Sequence, residues 1–246
     1  MTMQARLIES HEIAPEVRHF LFQAEGVDRL EFAPGQFVSF SAEVGGKTIT
    51  RAYSIASAPR GDNRFELCLN RVQDGHLSPL LFAMQPGGSI EMRPPLGQFV
   101  IRNAASDAVF IATGTGIAPF RGMLQGHLNA LSPVITLLFG VRYESHLMYR
   151  AEFETMARNF PQFRFWPTLS RPGEGWTGRT GHVQAHLAEA LHMETSVVET
   201  SAADAGATRR DVDFYLCGLK QMVDDVRAIL KGMGFDRKQI LYEKYD

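Results

Sequence analysis

Cysteine is scarce in this chain, and its scarcity is informative. Cys68 and Cys217 are the only two among 246 residues, and they do not form a CxxC pair. A Cys-ligated iron–sulfur cluster needs four thiolates in closely spaced groups, so it is excluded, and a Cys zinc site is equally disfavoured. His182 and His186 share a predicted helix face, but no third ligand stands at a supporting interval. The sequence therefore predicts no metal site.

Long apolar runs and an excess of charge of either sign are also missing. The longest apolar stretch, around residues 134–141, is far too short to span a bilayer. The first ten residues lack the apolar segment of a signal peptide. The 25 Lys and Arg residues nearly balance 27 Asp and Glu residues, and no segment is strongly basic. We expect a cytoplasmic monomer with neither a membrane nor a nucleic-acid partner.

What is present changes character near residue 100. Before it, short β-rich runs are separated by turn signals such as PG, GG, GD and PGG, and one short helix interrupts them at residues 76–84. This spacing is typical of an antiparallel barrel or sandwich. The predicted strands cover residues 4–10, 17–24, 35–44, 47–57, 64–72 and 88–95. We assign residues 1–102 to this first domain.

After residue 100, predicted strands and helices alternate. This βαβα order predicts a doubly wound α/β domain with a parallel sheet, spanning residues 103–246. The polar segment 193–210 breaks the alternation and is predicted to be an exposed loop. The predicted strands are 107–113, 133–141, 163–170 and 212–218, and the predicted helices are 117–131, 148–160, 182–192 and 219–234.

The first strand of this second domain runs into its helix through a glycine-containing turn. The turn is Thr113, Gly114, Thr115 and Gly116, in the stretch VFIATGTGIAPF. Glycines allow positive φ and close backbone approach, so the free N–H groups of the helix start could receive a phosphate. The third glycine of the Rossmann fingerprint is absent, and Pro119 stands near its place. A tight βα turn without a ligand is the alternative.

Polar residues follow two other strands, at the edge where doubly wound sheets bind ligands. Ser170, Arg171 and Arg179 come after the third strand, and Cys217 and Gly218 end the fourth. Two arginines beside a hydroxyl suit a phosphate monoester better than a diol. The alternatives are solvated arginines and, for Cys217, a small buried apolar residue.

In the first domain, the run RAYS (residues 51–54) places charged, aromatic and hydroxyl groups close together. Arg51 and Tyr53 project to one face of a strand, and Ser54 points the other way unless the strand ends there. An edge strand with a solvated arginine and a half-buried tyrosine would look the same.

Seven motifs together carry a resemblance along essentially the whole chain. RAYS, GHLS, PPLG, GTGIAPF, LSRP…GR, CG and YEKY occur in that order, and the chain resembles the ferredoxin–NADP(+) reductase family, most of all its compact bacterial members. The resemblance implies a flavin-binding antiparallel barrel followed by a nicotinamide-dinucleotide domain. It implies FAD as cofactor, with FMN left open because no adenosine contacts are legible.

The resemblance also implies roles for residues of the first domain. Arg51 would pair with the flavin phosphate, Tyr53 would lie against the isoalloxazine ring, and Ser54 would hydrogen-bond near N5, the atom that takes the hydride. Helix-start amides and the Ser78 hydroxyl would hold the pyrophosphate. The remaining implied flavin contacts are Ala52, the edge residues Leu69, Asn70 and Arg71, and the helix-start residues Gly75, His76 and Leu77.

In the second domain the resemblance implies that Cys217 and Gly218 border the nicotinamide pocket. Glu243 would relay protons or steer the ring, and Tyr245 would cover the flavin face opposite Tyr53. With Ser54, residues Cys217, Glu243 and Tyr245 make up the implied catalytic set. Asp246 follows the tyrosine, which departs from family members ending in Glu-x-Tyr. The alternative is a last strand, QILYE, with a frayed end.

The function implied is a flavin-dependent enzyme that passes electrons from NADPH through FAD to a separate one-electron carrier, such as ferredoxin or flavodoxin. NADPH is expected over NADH because of Ser170, Arg171 and Arg179. Two enzymatic alternatives remain: an NAD(P)H:flavin or ferric reductase, and the reductase component of an oxygenase. A flavin-binding redox sensor without catalysis is the non-enzyme alternative.

Overall fold

The computed structural model describes residues 2–195 and 212–245, with only the backbone described for 192–195. The chain forms two compact units. One contains residues 1–102 together with 117–127, and the other contains 103–116 together with 128–246. Among the described residues, no helix is long and apolar enough to cross a membrane.

The first unit contains β1 (Met3–Ala14), β2 (Val17–Ala24), β3 (Phe37–Val44), β4 (Lys47–Ser54), β5 (Arg64–Asn70), α1 (Leu77–Ala83) and β6 (Ser89–Leu96). Its six strands form an antiparallel sheet in the order β4-β3-β6-β1-β2-β5. The edge strands meet because Ile55, directly after β4, forms a bridge with Leu67 of β5, so the sheet closes on itself. Phenylalanines such as Phe22, Phe40 and Phe65 fill the interior.

Helix α2 (Ile117–His127) belongs to the first unit, although it follows the first strand of the second in the chain. Its buried Arg121 donates from Nη1 to the Ala56 carbonyl at 2.7 Å and to the buried Glu66 carboxylate at 2.5 Å. Burial alone would raise the pKa of Glu66, but the hydrogen bond and charge of Arg121, together with the charges of His19 and Arg60, outweigh burial, so the pKa is lowered. Gly122 packs on the Ser57 carbonyl, which an added Cβ would approach to 2.8 Å. The ion pair and this close contact join α2 to the segment after β4.

The second unit contains β7 (Asp107–Thr113), β8 (Ile135–Val141), α3 (Arg150–Asn159), β9 (Phe163–Leu169), β10 (Arg179–Thr180), α4 (Leu187–Thr195), β11 (Val212–Leu219), α5 (Lys220–Gly232) and β12 (Ile240–Tyr245). Its strands form a parallel sheet in the order β10-β9-β8-β7-β11-β12. Strand β7 is buried on both faces, which explains why its sequence, DAVFIAT, is almost continuously apolar. Short 3-10 turns cover Gly114–Gly116, Glu144–His146, Val183–His186 and Arg237–Gln239.

The predicted fold class, an antiparallel barrel followed by a doubly wound α/β domain, is confirmed. The helix predicted over 117–131 instead ends at His127. Asn129 explains the early end, since its side-chain oxygen accepts from the Leu131 N–H and its own N–H is bonded to Ser132 Oγ. The two-residue β10 was not predicted. Residues 193–195 of the predicted loop lie in α4, and residues 196–210 lie outside the described part of the chain.

Candidate active site

The second unit has its topological switch point between β7 and β11. From β7 the chain adds β8 and β9 on one side, then returns to place β11 and β12 on the other. Ligands of doubly wound folds bind at the carboxyl ends of the strands where the order reverses. The predicted turn Thr113–Gly116 follows β7 there, and Cys217 and Gly218 lie near the end of β11.

These two strand ends touch backbone to backbone because both carry glycine. A Cβ on Gly116 would lie 2.3 Å from the Cys217 carbonyl oxygen, and one on Gly218 would lie 2.2 Å from Thr113 Oγ1. Gly218 also has a φ of +143°, which L side chains rarely adopt. The Leu219 N–H donates to Thr113 Oγ1 at 3.3 Å. The glycines are therefore required for packing, whatever ligand the turn binds.

Gly114 has the opposite surroundings. Its φ is +54°, and an added Cβ would meet nothing within 4 Å, so the turn presents an open backbone surface at this residue. Gly114, Thr115 and Gly116 form a 3-10 turn that leads into the helix starting at Ile117. Open backbone before a helix start fits a phosphate group.

Cys217 is fully buried and has two neighbours from the last strand. Glu243 lies opposite it in the β11–β12 register, and the Tyr245 side chain is hydrogen-bonded to its sulfur. Burial raises the pKa of the thiol well above its usual value, Glu243 raises it further, and the bond from Tyr245 opposes this. Cys217 is thus a neutral thiol at physiological pH, which fits a packing role better than a nucleophilic one. The strand runs through Tyr245, two residues beyond QILYE.

Ser170 and Arg171 are fixed by their backbones beside the end of β8. The Ser170 N–H donates to the Val141 carbonyl at 3.0 Å, and the Arg171 N–H to the Arg142 carbonyl at 2.9 Å. Arg142 and Arg171 are both exposed, so two guanidinium-bearing residues leave adjacent strand ends. Arg142 was missed in the sequence because one arginine after a strand carries no signal by itself.

Arg179 joins this edge from β10, where it pairs with Thr168 of β9. Its guanidinium lies over the Trp166 ring, 3.6 Å from the ring centroid. Nη2 donates to Glu189 Oε1 at 2.7 Å, and Nε to Glu189 Oε2 at 3.3 Å. The predicted trio Ser170, Arg171 and Arg179 is therefore assembled along β9 and β10, with Trp166 and Glu189 as unpredicted neighbours of Arg179.

In the first unit, the predicted flavin strand is β4. Arg51 and Ala52 are exposed, Tyr53 is half-buried and Ser54 is buried. The Tyr53 ring packs against Phe40, with 5.8 Å between centroids, and burial raises the pKa of its hydroxyl to about 12 although nearby Arg51 opposes the rise. Arg51 Nη1 donates to the Thr50 carbonyl, which uses one of the five N–H groups of the side chain. An exposed guanidinium near a half-buried neutral phenol fits an anionic aromatic cofactor.

Helix α1, the predicted pyrophosphate helix, packs against β4, the strand that ends in RAYS. Ser78 is buried, and its hydroxyl accepts from the Val72 N–H at 3.0 Å while keeping its own hydrogen to donate. The Gly75 N–H donates to the Val72 carbonyl at 2.9 Å. The starting residue Leu77 is buried, and His76 makes no side-chain cap hydrogen bond.

The three edge residues Leu69, Asn70 and Arg71 lie at the end of β5 and just after it. Leu69 is buried, whereas Asn70 and Arg71 are exposed. The Arg71 N–H donates to the Glu16 carbonyl at 2.8 Å. The main-chain donors of Arg71 and Gly75 are thus engaged inside the unit.

Comparison with known proteins agrees with both halves of this description. The model of the oxidoreductase FAD-binding domain matches residues 4–101, and that of the oxidoreductase NAD-binding domain matches residues 110–228. Ferredoxin–NADP reductase B of Sorangium cellulosum is 38% identical over 247 residues, covering 99% of this chain and 97% of that protein. The anthranilate 1,2-dioxygenase electron transfer component of Acinetobacter baylyi is 29% identical, and this chain spans 60% of its length.

A solved structure of a ferredoxin NADP+ reductase has the same fold. A ferredoxin NADP+ reductase from Neisseria gonorrhoeae with bound FAD and NADP superposes with a TM-score of 0.80, at 22% identity, over 99% of this chain and 98% of that one. The two domains define a flavin-dependent NAD(P)H oxidoreductase. The chain belongs to the ferredoxin–NADP(+) reductase family.

The predictions of family, enzyme class, FAD and a nicotinamide dinucleotide are confirmed. The roles of individual site residues, the domain bounds at 102/103, the monomeric state and the cytoplasmic location stay predictions. Within the described ranges, no group of three His, Cys, Asp or Glu side chains could hold a metal ion.

Proposed function

We propose that this protein takes electrons from NADPH and delivers them, through FAD, to a separate one-electron carrier such as ferredoxin or flavodoxin. Bound FAD supplies the conversion of a two-electron donor into one-electron output. The observation that carries the choice of NADPH is the arginine edge, defined as Arg142 and Arg171, just after β8 and β9, and Arg179, which begins the short β10 beside the end of β9. Residues 1–102 form the flavin domain in this proposal, and residues 103–246 the coenzyme domain.

On the flavin side, each residue acts through a property that it has in the described structure. Arg51 offers an exposed positive charge to the flavin phosphate. Tyr53 offers a half-buried neutral ring for stacking. Buried Ser54 offers a hydroxyl near the reacting nitrogen, and the Ser78 hydroxyl donates its hydrogen to the pyrophosphate.

On the coenzyme side, the pyrophosphate binds the open backbone of the turn at Gly114. The nicotinamide lies beside Cys217 and Gly218, where a neutral buried thiol provides a small apolar wall. The adenosine 2′-phosphate binds at the arginine edge, where Ser170 adds a hydroxyl. The positive charge of three arginines at neighbouring backbone positions suits the 2′-phosphate of NADPH, which NADH lacks.

Arg171→Ala should weaken NADPH binding about tenfold and leave NADH binding nearly unchanged. A charge-assisted hydrogen bond contributes about 1.5–3 kcal/mol, and the exposure of Arg171 favours the lower end. Dissociation constants for the two coenzymes, measured on the FAD-loaded protein, check this. Arg158→Ala, an exposed arginine near the end of α3, is the matched control. An equal loss of affinity for NADPH and NADH would show that Arg171 does not bind the 2′-phosphate.

We further propose that Tyr245 guards the nicotinamide site, since its hydroxyl already bonds to Cys217 there. Tyr245→Ser should tighten the binding of both coenzymes several-fold and reduce the preference for NADPH, because nicotinamide contacts are common to both. Tyr245→Phe keeps the ring and should keep the selectivity. Equal affinities and selectivity in wild type and Tyr245→Ser would show that Tyr245 is only the end of a strand. Glu243, beside the same thiol, is the candidate proton relay.

The acceptor is tested by reconstitution. The purified protein, NADPH and a single ferredoxin or flavodoxin should reduce cytochrome c faster than NADPH and protein without the carrier. The second candidate, an oxygenase reductase component, is favoured by the 29% identity to the anthranilate dioxygenase component. Rates that depend on free flavin and not on either carrier would contradict the proposal and support a flavin reductase.

A further inference from the structure

Arg179 differs from the other two members of the arginine edge in being held on two sides. Its guanidinium lies flat over Trp166, and Glu189 of α4 takes hydrogen bonds from its Nε and Nη2 atoms. Only 28% of the Arg179 side chain is exposed, against 51% of the Glu189 side chain. The ring and the carboxylate together fix where this guanidinium points.

The hydrogen-bonding geometry leaves part of Arg179 for a ligand. A guanidinium is planar and presents its five N–H groups in two forks. Glu189 occupies the fork made by Nε and Nη2, and the fork made by Nη1 with the second Nη2 hydrogen lies along a different edge of the plane. A phosphate can therefore bind end-on to Arg179 while Glu189 stays in place. The phosphate would then share one guanidinium with the Glu189 carboxylate.

Glu189 has its own fixed surroundings. His186, one turn earlier, lies 3.9 Å from it, measured from Nδ1 to Oε2. The other ring nitrogen of His186 is 3.0 Å from the Thr180 carbonyl, so this side of the histidine is tied to β10. The hydrogen bond from Arg179 lowers the pKa of Glu189, which keeps its carboxylate ionised at physiological pH.

Building on the proposed function, we propose that Glu189 is a specificity-determining residue that limits how strongly the protein binds the 2′-phosphate of NADPH. The negative charge of Glu189 offsets the positive charge of Arg179 and repels the 2′-phosphate, which carries nearly two negative charges. Removing the carboxylate charge while keeping an oxygen acceptor for Arg179 should therefore strengthen NADPH binding. A coenzyme without the 2′-phosphate should be indifferent to the change. Because the arginines attract the 2′-phosphate and Glu189 repels it, the protein can select NADPH by charge and still release the coenzyme readily.

Glu189→Gln makes this change, because the amide oxygen can still accept from Arg179. The oxidised coenzymes NADP+ and NAD+ are titrated calorimetrically into the FAD-loaded protein, so that no turnover occurs. The dissociation constant for NADP+ should fall about three- to tenfold, and that for NAD+ should stay the same within about twofold. Since the repulsion is between partly exposed charges, the gain should shrink at high salt. The matched control is Glu31→Gln, which removes one carboxylate from the exposed Arg29–Glu31 pair of the first unit.

Two further variants distinguish a failure of the inference about Glu189 from a failure of the proposed preference for NADPH. If Arg171→Ala and Arg179→Ala weaken NADP+ binding but Glu189→Gln leaves it unchanged or weakens it, the inference about Glu189 is wrong and the arginine edge stands. If neither arginine variant affects NADP+, the 2′-phosphate site lies elsewhere and the proposed coenzyme preference fails with it. Tighter NADP+ binding in Glu31→Gln as well would show a general charge effect and overturn the specific role.

Discussion

The double variant Arg51→Ala/Tyr53→Ala is expected to purify almost free of FAD. The guanidinium of Arg51 is exposed near the half-buried ring of Tyr53, so the variant removes a phosphate partner and a stacking surface together. A charge-assisted hydrogen bond contributes about 1.5–3 kcal/mol, and aromatic stacking adds about 0.5–1.5 kcal/mol beyond area burial. Together the two losses correspond to a decrease in flavin affinity of about thirtyfold to about two-thousandfold. The ratio of visible to ultraviolet absorbance measures the flavin content.

Loss of the fold would also remove flavin, so the variant needs a control and a structural readout. Lys47→Ala removes a positive charge from the other end of β4 and should stay yellow. Far-ultraviolet circular dichroism should show that the double variant keeps its strands, because Arg51 is exposed and Tyr53 lies at the margin of the barrel core. A folded double variant with full flavin content would place the cofactor elsewhere.

Gly116→Ala is expected to lower the rate of flavin reduction by NADPH about a hundredfold while leaving FAD bound. The new Cβ would lie 2.3 Å from the Cys217 carbonyl oxygen and 2.8 Å from Gly218 Cα. Backbone cannot move aside as a side chain can, so the turn and the end of β11 must separate. Displacing a substrate by about 1 Å can cost about a hundredfold in rate. Stopped-flow absorbance at the flavin band, with a parallel measurement of flavin content, checks both parts.

The same substitution elsewhere in the second unit serves as the control. Gly232 ends α5, has no positive φ, and would place its new Cβ where nothing lies within 4 Å. Gly232→Ala should therefore reduce the flavin as fast as wild type. If Gly116→Ala behaves like Gly232→Ala, the coenzyme does not bind at the β7–β11 switch point.

Most of the fold could be predicted from the sequence because local patterns of apolar and turn residues match the burial and the turns of the folded protein. Strand β7 reads as a parallel strand since it is apolar on both faces, and the barrel strands are separated by glycine turns that the structure retains. The helix after the turn was predicted too long, since the Asn129 side chain provides an alternative to the helical bonds. The two-residue β10 is too short to leave any periodic signal.

Site residues that are close together in the chain could be predicted from the sequence. Those that come together only in the folded protein could not. RAYS and the Thr113–Gly116 turn are continuous motifs. Arg179 and Glu189 are ten residues apart in different elements, and nothing in the sequence indicates that they form an ion pair over Trp166. The buried pair of Arg121 and Glu66 is separated by 55 residues and was likewise missed. Ion pairs between different elements form only where those elements pack together, so the sequence alone does not indicate them.

The most direct test of the central claim, that this chain carries electrons from NADPH through a bound flavin, is an anaerobic titration. The purified protein should show a flavin absorbance band, which roughly equimolar NADPH should bleach, whereas NADH should need a much larger excess. Dithionite, added afterwards, should cause little further bleaching. A flavin that stays oxidised in excess NADPH, yet is bleached by dithionite, would contradict the account and leave a flavin-binding protein without the reductase activity.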